Sequence, residues 1–123
     1  MTVRLTDREV DVMNVLWERG ASTVAEVHAG LGGALAYTTV LSMLRTLERK
    51  KAVSRAKEGR AHRYAARLER ATTQRRAIAA MAAKFFRGSL GGLLVHVVEH
   101  ERLSRSEIAQ LRALLEKRRR KSR

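Results

Sequence analysis

One short β-hairpin is predicted in a chain that is otherwise patterned for helices. Two alternating runs, Val53–Ala56 and Ala61–Ala65, flank a short segment that contains Gly59. Alternation on both sides of such a segment is typical of two antiparallel strands, and glycine readily takes the positive φ of a tight turn. The chain contains neither cysteine nor proline, so disulfides and thiolate metal sites are excluded. We therefore expect a mainly α-helical fold with one small β-hairpin.

Three helices are predicted before the hairpin. The first two begin at capping boxes, in which a threonine hydroxyl and a glutamate three residues later each accept a hydrogen bond from the other's backbone N–H. Thr6 pairs with Glu9 in the first box, and Thr23 pairs with Glu26 in the second. Apolar residues recur at helical spacing after each box, so each box marks a helix N-terminus.

The third predicted helix, over about residues 36–51, has two chemically different faces. Its inner stripe is apolar and consists of Val40, Leu44 and Leu47. The other face carries hydroxyl and guanidinium groups that align along one side, namely Thr38, Ser42, Arg45 and Arg49, flanked by Thr39 and Thr46. An ordinary surface helix has such a face too. The hairpin that follows favours DNA binding, because three helices and a basic ribbon are the order of a winged helix-turn-helix domain.

Positive charge is concentrated where this interface is expected. The 123 residues include 26 Lys or Arg and 12 Asp or Glu, for a formal net charge of +14. Residues 45–76 hold twelve of the basic residues and three acids, whereas residues 1–44 carry −2 and residues 77–116 carry +1. Clustered basic charge favours a polyanionic partner. The tail 117–123 adds +6, and both a solvated, disordered tail and an auxiliary phosphate contact remain open for it.

The segment after the hairpin contains more apolar surface than it can bury alone. Helices are predicted from Thr72 or Thr73 onward, the last of them after a capping box at Ser104. A second copy of the chain is the expected cover for their apolar stripes. The residues expected in this dimer interface are Ile78, Met81, Phe85, Phe86, Leu93, Leu94, Val97, Leu111, Leu114 and Leu115. We thus expect a winged-helix domain over residues 1–70, a helical dimerisation region over residues 71–116 and a basic tail over residues 117–123.

Enzyme function is not expected from this chain. The segment His96 to His100 matches the H-x-x-E-H pattern of zinc peptidases, but only 23 residues follow it and no pocket-forming domain can be built from them. A metal shared between protomers at His96 and His100 remains an alternative. Phosphate-binding loops and nucleophile elbows are missing from the sequence. We predict no catalytic residue, no metal site and no cofactor.

Targeting signals are not expected either. No apolar run reaches the roughly 18 residues of a membrane span, and the first residues lack the pattern of a signal peptide. A cytoplasmic protein is the expectation.

Several segments resemble the penicillinase-repressor family, the BlaI/MecI/CopY repressors. The resemblance rests on Leu5 to Glu9, Val12-Met13, Leu16-Trp17, Thr23 to Val27, Ala36 to Val40, Leu44 to Lys50, and Lys57 to Arg60 with His62 and Tyr64. It extends in order to about Leu115. It implies a homodimeric winged-helix repressor on a palindromic operator, of β-lactamase or related resistance or stress genes. By this match, the DNA-contacting residues are Tyr37, Thr38, Thr39, Ser42, Arg45, Thr46, Arg49, Lys57, Arg60 and Arg63.

The sequence departs from the family at two features by which members respond to inducers, a cleavage site and a cysteine cluster. Staphylococcal members are cleaved at an Asn-Phe bond after a membrane sensor-peptidase detects a β-lactam, and the resemblance places that position at His96-Val97, where the residues differ. The copper-responsive branch carries a cysteine cluster, which this chain lacks. A non-specific nucleic-acid packaging or RNA-binding protein remains the alternative function, because clustered charge alone also fits it.

Overall fold

The computed structural model of the chain describes residues 3–122 and contains helices and a small antiparallel sheet. The elements are α1 (Asp7–Arg19), β1 (Ser22–Thr23), α2 (Val24–Gly30), α3 (Tyr37–Arg49), β2 (Val53–Glu58), β3 (Ala61–Ala66), α4 (Arg70–Phe85), α5 (Leu90–His100) and α6 (Arg105–Lys121). The chain divides into two units between Gln74 and Arg75. The predicted fold class, mainly α with a hairpin after the third helix, is confirmed.

Capping boxes set the beginnings of three helices. In the first, the Thr6 N–H donates to Glu9 Oε1 at 2.8 Å and the Glu9 N–H donates to Thr6 Oγ1 at 3.2 Å. The same reciprocal pairs open α2 at Thr23 and α6 at Ser104. Each box satisfies two backbone groups that a helix end leaves unpaired, which is why these starts could be predicted from local sequence.

The hairpin that follows α3 is longer than the alternating runs suggested. The register runs without interruption from Val53 opposite Ala66 to Glu58 opposite Ala61. Gly59 has a φ of +61°, the left-handed conformation that favours glycine in a tight turn. We call β2, β3 and the turn between them the wing.

A third strand, β1, was not expected from the sequence. Its two residues pair with β3, with Ser22 opposite Tyr64 and Thr23 opposite Arg63, so β3 is the central strand. Two residues are too few to show alternation. The consequence is that the start of α2 is hydrogen-bonded directly to the wing.

The core of the first unit lies under α3. Val40, Leu44 and Leu47 are fully buried, which confirms the predicted inner stripe. They pack with buried side chains of α1, α2 and the wing, including Met13 and Tyr64. Because this stripe fixes the rotation of α3 about its axis, the opposite side of the helix must face solvent.

The start of α4 is fastened to α1 within the first unit. The Trp17 Nε1–H donates to the Leu68 carbonyl at 2.9 Å, and the Arg70 guanidinium lies 5.6 Å from the centre of the Trp17 ring. Arg70 also donates to Asn14 Oδ1 at 3.1 Å and to Glu18 at 3.2 Å. These contacts explain why α4 begins at Arg70, before the threonines where the sequence pattern placed its start.

The second unit has almost no core of its own. Among residues 75–122, Ala82 is the one buried residue. Phe86, Leu93, Val97 and Leu111 are half-buried. The exposed large apolar side chains of this unit are Ile78, Met81, Phe85, Leu90, Leu94, Val95, Val98, Ile108, Leu114 and Leu115. Soluble domains rarely leave so much apolar surface open without a partner.

The C-terminal helix differs from the predicted tail. α6 continues through Lys121, so residues 117–121 are helical rather than an irregular tail. The helix begins at a strong cap, and basic side chains near a helix C-terminus interact favourably with its dipole. The side chains of this segment are exposed, as the solvated alternative requires.

No single helix among residues 3–122 is long and apolar enough to cross a membrane; α4 and α5 reach that length and composition only as a bent pair. The break between them falls at Arg87 and Gly88, which have φ values of +52° and +83°. Ser89 then caps α5.

Gly30, at the end of α2, has little room for a side chain. A Cβ there would lie 2.8 Å from Cγ1 of the buried Val15. Gly30→Ala should therefore lower the free energy of unfolding by about 1–3 kcal/mol. Gly91→Ala is the control, because a Cβ at Gly91 would have its nearest neighbour 3.9 Å away. This variant should leave the free energy of unfolding unchanged or raise it by up to about 1 kcal/mol. Urea unfolding measures both; a neutral Gly30→Ala would show that Val15 moves freely.

Candidate nucleic-acid interface

The solvent side of α3 presents the predicted polar face. Tyr37, Thr38, Thr39, Ser42, Arg45 and Arg49 are all exposed on it. This side lies opposite the buried stripe. It offers hydroxyl donors and acceptors together with two guanidinium groups, which are the groups that read base edges and bind phosphates.

Thr46 differs from the other residues predicted on this face because it is half-buried and already hydrogen-bonded. Its hydroxyl donates to the Ser42 carbonyl at 3.0 Å and accepts from Arg49 Nη2 at 3.0 Å. The side chain therefore orients the Arg49 guanidinium along the helix.

The first turn of α3 is held by an aromatic contact with α2. The rings of His28 and Tyr37 meet edge to face with their centres 5.9 Å apart. His28 Nε2 lies 2.9 Å from the Leu35 carbonyl, which fixes the loop before α3. Since the cap residue Ala36 makes no side-chain hydrogen bond, these contacts replace a side-chain cap.

The far end of α3 is fixed by a buried carboxylate. Lys50 Nζ donates to Glu9 Oε1 at 2.6 Å and to the Arg4 carbonyl at 2.9 Å. Glu9 is buried, and the same oxygen accepts from the Thr6 N–H. Burial acts to raise the pKa of Glu9, but the hydrogen bonds from Lys50 and Thr6 and the charge of Lys50 together hold it below its ordinary value of 4.5. The pair joins the start of α1 to the end of α3.

Replacing Glu9 by glutamine is expected to lower the free energy of unfolding at pH 7 by about 1–3 kcal/mol. Glutamine can keep the cap, but it leaves the Lys50 ammonium without its carboxylate. Because the folded-state pKa of Glu9 is lowered, its stabilising effect is present above pH 4.5 and is lost as pH falls through the folded-state value. Urea unfolding should show a difference in the free energy of unfolding between wild type and variant, and this difference should shrink below pH 4.5.

Glu107→Gln is the matched control. Glu107 forms the same type of box with Ser104 but has no ion pair among residues 3–122. We expect a smaller loss of stability at pH 7. Equal losses in the two variants, or a Glu9→Gln gap that is constant with pH, would contradict a role for the ion pair.

The wing presents basic side chains in two places, at its tip and beside α3. Lys57 and Arg60 are exposed at its tip, as a backbone contact requires. Arg55 of β2 lies beside α3, with Nε 3.4 Å from a carboxylate oxygen of Glu48. The wing and α3 are therefore joined by an ion pair as well as by the core.

Arg63, a predicted DNA contact, already has hydrogen-bond partners within the chain. Its guanidinium donates to Glu58, to the Ala21 carbonyl at 2.9 Å and to Glu26 at 3.1 Å. The hydrogen bond and charge of Glu58, with a smaller contribution from Glu26, raise the pKa of Arg63. Its side chain is half-buried and holds the wing to the segment before β1 and the start of α2.

A cleft of about 330 Å³ separates α3 from the wing. Its walls are formed by Thr23, Val24 and Ala25 at the start of α2, by Tyr37, Leu41 and Arg45 of α3, and by Arg55, Arg60, Ala61, His62 and Tyr64 of the wing. Three arginines line this α3–wing cleft and no carboxylate does. The side chains that line the cleft therefore carry a net positive charge, which suits an anionic partner.

Two lining residues, Arg55 and His62, were missed in the sequence. Arg55 is opposite Tyr64 in the register, and Lys57 is opposite His62. Side chains at alternate positions share a face of a sheet, so Arg55, Lys57 and His62 lie on the same face as the buried Tyr64. The period of the hairpin was visible in the sequence, but which face turns toward α3 was not.

The two histidines of the peptidase-like pattern lie together on α5. The rings of His96 and His100 are 4.4 Å apart, centre to centre, and Glu99 lies 3.8 Å from His100 Nε2. Within residues 3–122, no three His, Asp or Glu side chains gather in an arrangement that could hold a metal ion.

A sequence profile of the family described as penicillinase repressor matches residues 5–117. The chain belongs to the penicillinase repressor family. The matched range includes α1 through most of α6, so the resemblance seen in separate motifs is confirmed over both units. This is a family of transcriptional repressors rather than enzymes.

Individual members of the penicillinase repressor family agree with this assignment. The penicillinase repressor of Bacillus licheniformis is 27% identical over 115 residues, which are 92% of this chain and 90% of that protein. The transcriptional regulator BlaI of Mycobacterium tuberculosis is 46% identical over 65 residues, which are 50% of this chain and 47% of that protein. The methicillin resistance regulatory protein MecI of Staphylococcus aureus is 23% identical over 94% of this chain and 96% of its own.

Solved structures confirm the winged-helix fold. The solution structure of monomeric Bacillus licheniformis BlaI in complex with the blaP half-operator matches with a TM-score of 0.50 and 27% identity, covering 57% of this chain and 89% of that one. A MarR family protein from Bacillus stearothermophilus matches with a TM-score of 0.51, covering 96% and 75% of the two chains. At 20% identity, the second likeness concerns the fold alone.

Proposed function

We propose that this protein is a sequence-specific transcriptional repressor that binds a palindromic operator as a homodimer. One observation carries the proposal: the exposed hydroxyl and guanidinium face of α3 lies beside an arginine-lined cleft without carboxylates. A relative of 27% identity was solved in complex with a half-operator, which supports DNA as the partner. Relatives named as penicillinase and methicillin-resistance regulators support operators of β-lactamase or related resistance or stress genes. Such a protein acts in the cytoplasm, where its DNA is.

The two basic surfaces have different roles in this proposal. Thr38, Ser42 and Arg45 read bases in the major groove, with Tyr37, Thr39 and Arg49 contacting bases or phosphates beside them. Lys57 and Arg60 follow the backbone and supply affinity without sequence preference. Thr46 and Arg63 act indirectly, Thr46 by orienting Arg49 and Arg63 by holding the wing in place.

The apolar surface of the second unit supports the proposed dimer. Ten large apolar side chains are more than 40% exposed in residues 75–122, where Ala82 alone is buried. α5 and α6 also border an apolar groove of about 630 Å³ that is lined by Val97, Leu103, Leu111 and Leu114. A second copy presents the same apolar surface, so a two-fold interface would cover both at once. Two-fold symmetry also matches a palindromic DNA site.

A membrane sensor-peptidase is a further partner that family membership suggests. The bond His96-Val97 lies inside α5, whereas peptidases bind their substrates in an extended form. Proteolytic inactivation at this position would therefore require α5 to unfold locally.

Lys57→Ala is expected to weaken binding to all DNA sequences equally. Lys57 lies at the exposed tip of the wing and has no ion pair among residues 3–122. Losing one phosphate contact should reduce the slope of log affinity against log salt concentration by about one unit. Titrations of one duplex at several salt concentrations measure this slope; an unchanged slope would remove Lys57 from the interface.

Selection from a random-sequence duplex pool by the full chain tests the proposed function. We expect convergence on an inverted repeat, with half-sites separated by about one helical turn or a multiple of it. A pool that stays random after several rounds would favour a non-specific packaging protein. Convergence on a sequence without symmetry would contradict the homodimer.

A further inference from the structure

The α3–wing cleft differs from other concave surface of the first unit. A second cavity of similar size, about 310 Å³, is bordered by α1 and the end of α2. There Arg8 is accompanied by Asp11 and Glu18, so the carboxylates outnumber the single arginine. In the α3–wing cleft, Arg45, Arg55 and Arg60 have no acid beside them in the lining. The imbalance is thus a property of this cleft and does not follow from the basic composition of the chain.

The three arginines of the cleft come from α3, from β2 and from the wing turn. Arg45 and Arg60 form no ion pair within residues 3–122, whereas Arg55 is steadied by Glu48 at 3.4 Å. Guanidinium groups present paired N–H donors that match the oxygens of phosphate and carboxylate. The cleft thus holds two guanidiniums without an ion pair among residues 3–122 and one that is held in position by Glu48, all of them suited to bind an oxyanion.

His62 supplies an independent observation. Its Nδ1 atom is buried and has no hydrogen-bond partner among the described residues. Buried polar atoms in native proteins are nearly always hydrogen-bonded. His62 lines the α3–wing cleft, so this unpartnered nitrogen belongs to a side chain in the wall of the cleft.

The remaining walls are apolar. Val24, Leu41, Tyr37 and Tyr64 are among the residues that line the cleft. About 330 Å³ is at the small end of the range for ligand pockets. An oxyanion joined to a compact apolar or sugar body fits both the charged and the apolar lining.

We propose that the α3–wing cleft is an oxyanion-binding site, filled by a phosphate or carboxylate group that is either free or part of the DNA backbone. Arg45 belongs to the cleft and also to the face that reads DNA. This part rests on the proposed function: a free oxyanion in the cleft occupies Arg45 and so weakens DNA binding. A small anionic ligand that binds in the cleft would thereby release the protein from DNA and relieve repression.

Phenyl phosphate is a suitable probe, with benzyl alcohol as its uncharged counterpart. It is titrated calorimetrically into the DNA-free full chain at constant ionic strength. We expect saturable binding of phenyl phosphate with a dissociation constant of about 1 mM or tighter, and none of benzyl alcohol. Arg55→Gln should weaken binding at least tenfold, Arg55→Lys should weaken it less, and Arg8→Gln should not change it. Thermal unfolding of each variant verifies the fold.

A second arm measures duplex binding by the same variants. If phenyl phosphate binds and raises the midpoint of duplex binding, the site accepts a free ligand. If it does not bind, but Arg55→Gln lowers duplex affinity more than Arg8→Gln does, the occupant is a backbone phosphate. If neither the probe nor the duplex distinguishes Arg55→Gln from Arg8→Gln, the oxyanion site is refuted. The first arm contains no DNA, so its result is independent of whether the chain selects a DNA sequence.

Discussion

Leu114→Asp is expected to convert the protein into a monomer. Leu114 is 58% exposed and borders the groove between α5 and α6. Burying an unpaired carboxylate in an interface costs several kcal/mol, so we expect the dimer dissociation constant to rise at least about 100-fold. Loss of simultaneous half-site binding should lower affinity for a palindromic duplex by about 10²–10⁴-fold. Sedimentation equilibrium and duplex titration measure the two effects.

Ala109→Asp is the matched control for the dimer interface. Ala109 is exposed on α6 and shares the polar side with Arg112 and Glu116, away from Leu114. The Ala109→Asp variant introduces the same charge on the same helix as Leu114→Asp does, and we expect its dimer to persist. A Leu114→Asp chain that remains dimeric at micromolar concentration would place the interface elsewhere.

Arg45→Ala is expected to remove most of the sequence preference contributed by one base contact. Arg45 is exposed on α3 and has no ion pair among residues 3–122, so its guanidinium is available to DNA. A good bidentate contact with a base contributes about 1–3 kcal/mol of discrimination. The preference for the selected duplex over a shuffled one should therefore fall about 5- to 150-fold. Competition binding at fixed salt measures the ratio.

Arg8→Ala controls for the loss of one positive charge. Arg8 is exposed on α1, outside both α3 and the wing. The variant should retain the preference of the wild type, even where its overall affinity falls slightly. An Arg45→Ala chain with the same preference as Arg8→Ala would show that Arg45 does not read a base.

Local signals made much of the fold predictable. The capping boxes at Thr6, Thr23 and Ser104 are complete within four residues, and each one opens a helix in the structure. The inner stripe of α3 follows from helical spacing alone. Residues on the solvent side of α3 could be predicted for the same reason, because burying one side determines which residues remain outside.

Contacts between distant residues could not be predicted in this way. Lys50 and Glu9 are 41 positions apart, and Arg63 and Glu26 are 37 apart. Nothing in the neighbourhood of Arg63 distinguishes a side chain that holds the wing from one that is free for DNA. That difference arises only when β1 and α2 are brought beside β3.

The end of the chain illustrates competition between two local signals. A run of basic residues is typical of a solvated tail, yet α6 passes through it to Lys121. Arg, Lys and Glu have good helix propensity, and cations near a helix C-terminus are favourable. Charge composition described the exposure of this segment correctly but not its conformation.

Whether α3 reads bases is decided by the ratio of two equilibrium constants. The wild-type chain is titrated with the duplex selected from the random pool and with a shuffled duplex of the same length and composition, at one salt concentration near physiological. Reading of bases by α3 predicts a preference for the selected duplex above about 10³-fold. A ratio below about tenfold, with both affinities falling steeply with salt, would mean that the basic face of α3 and the wing bind nucleic acid by charge alone.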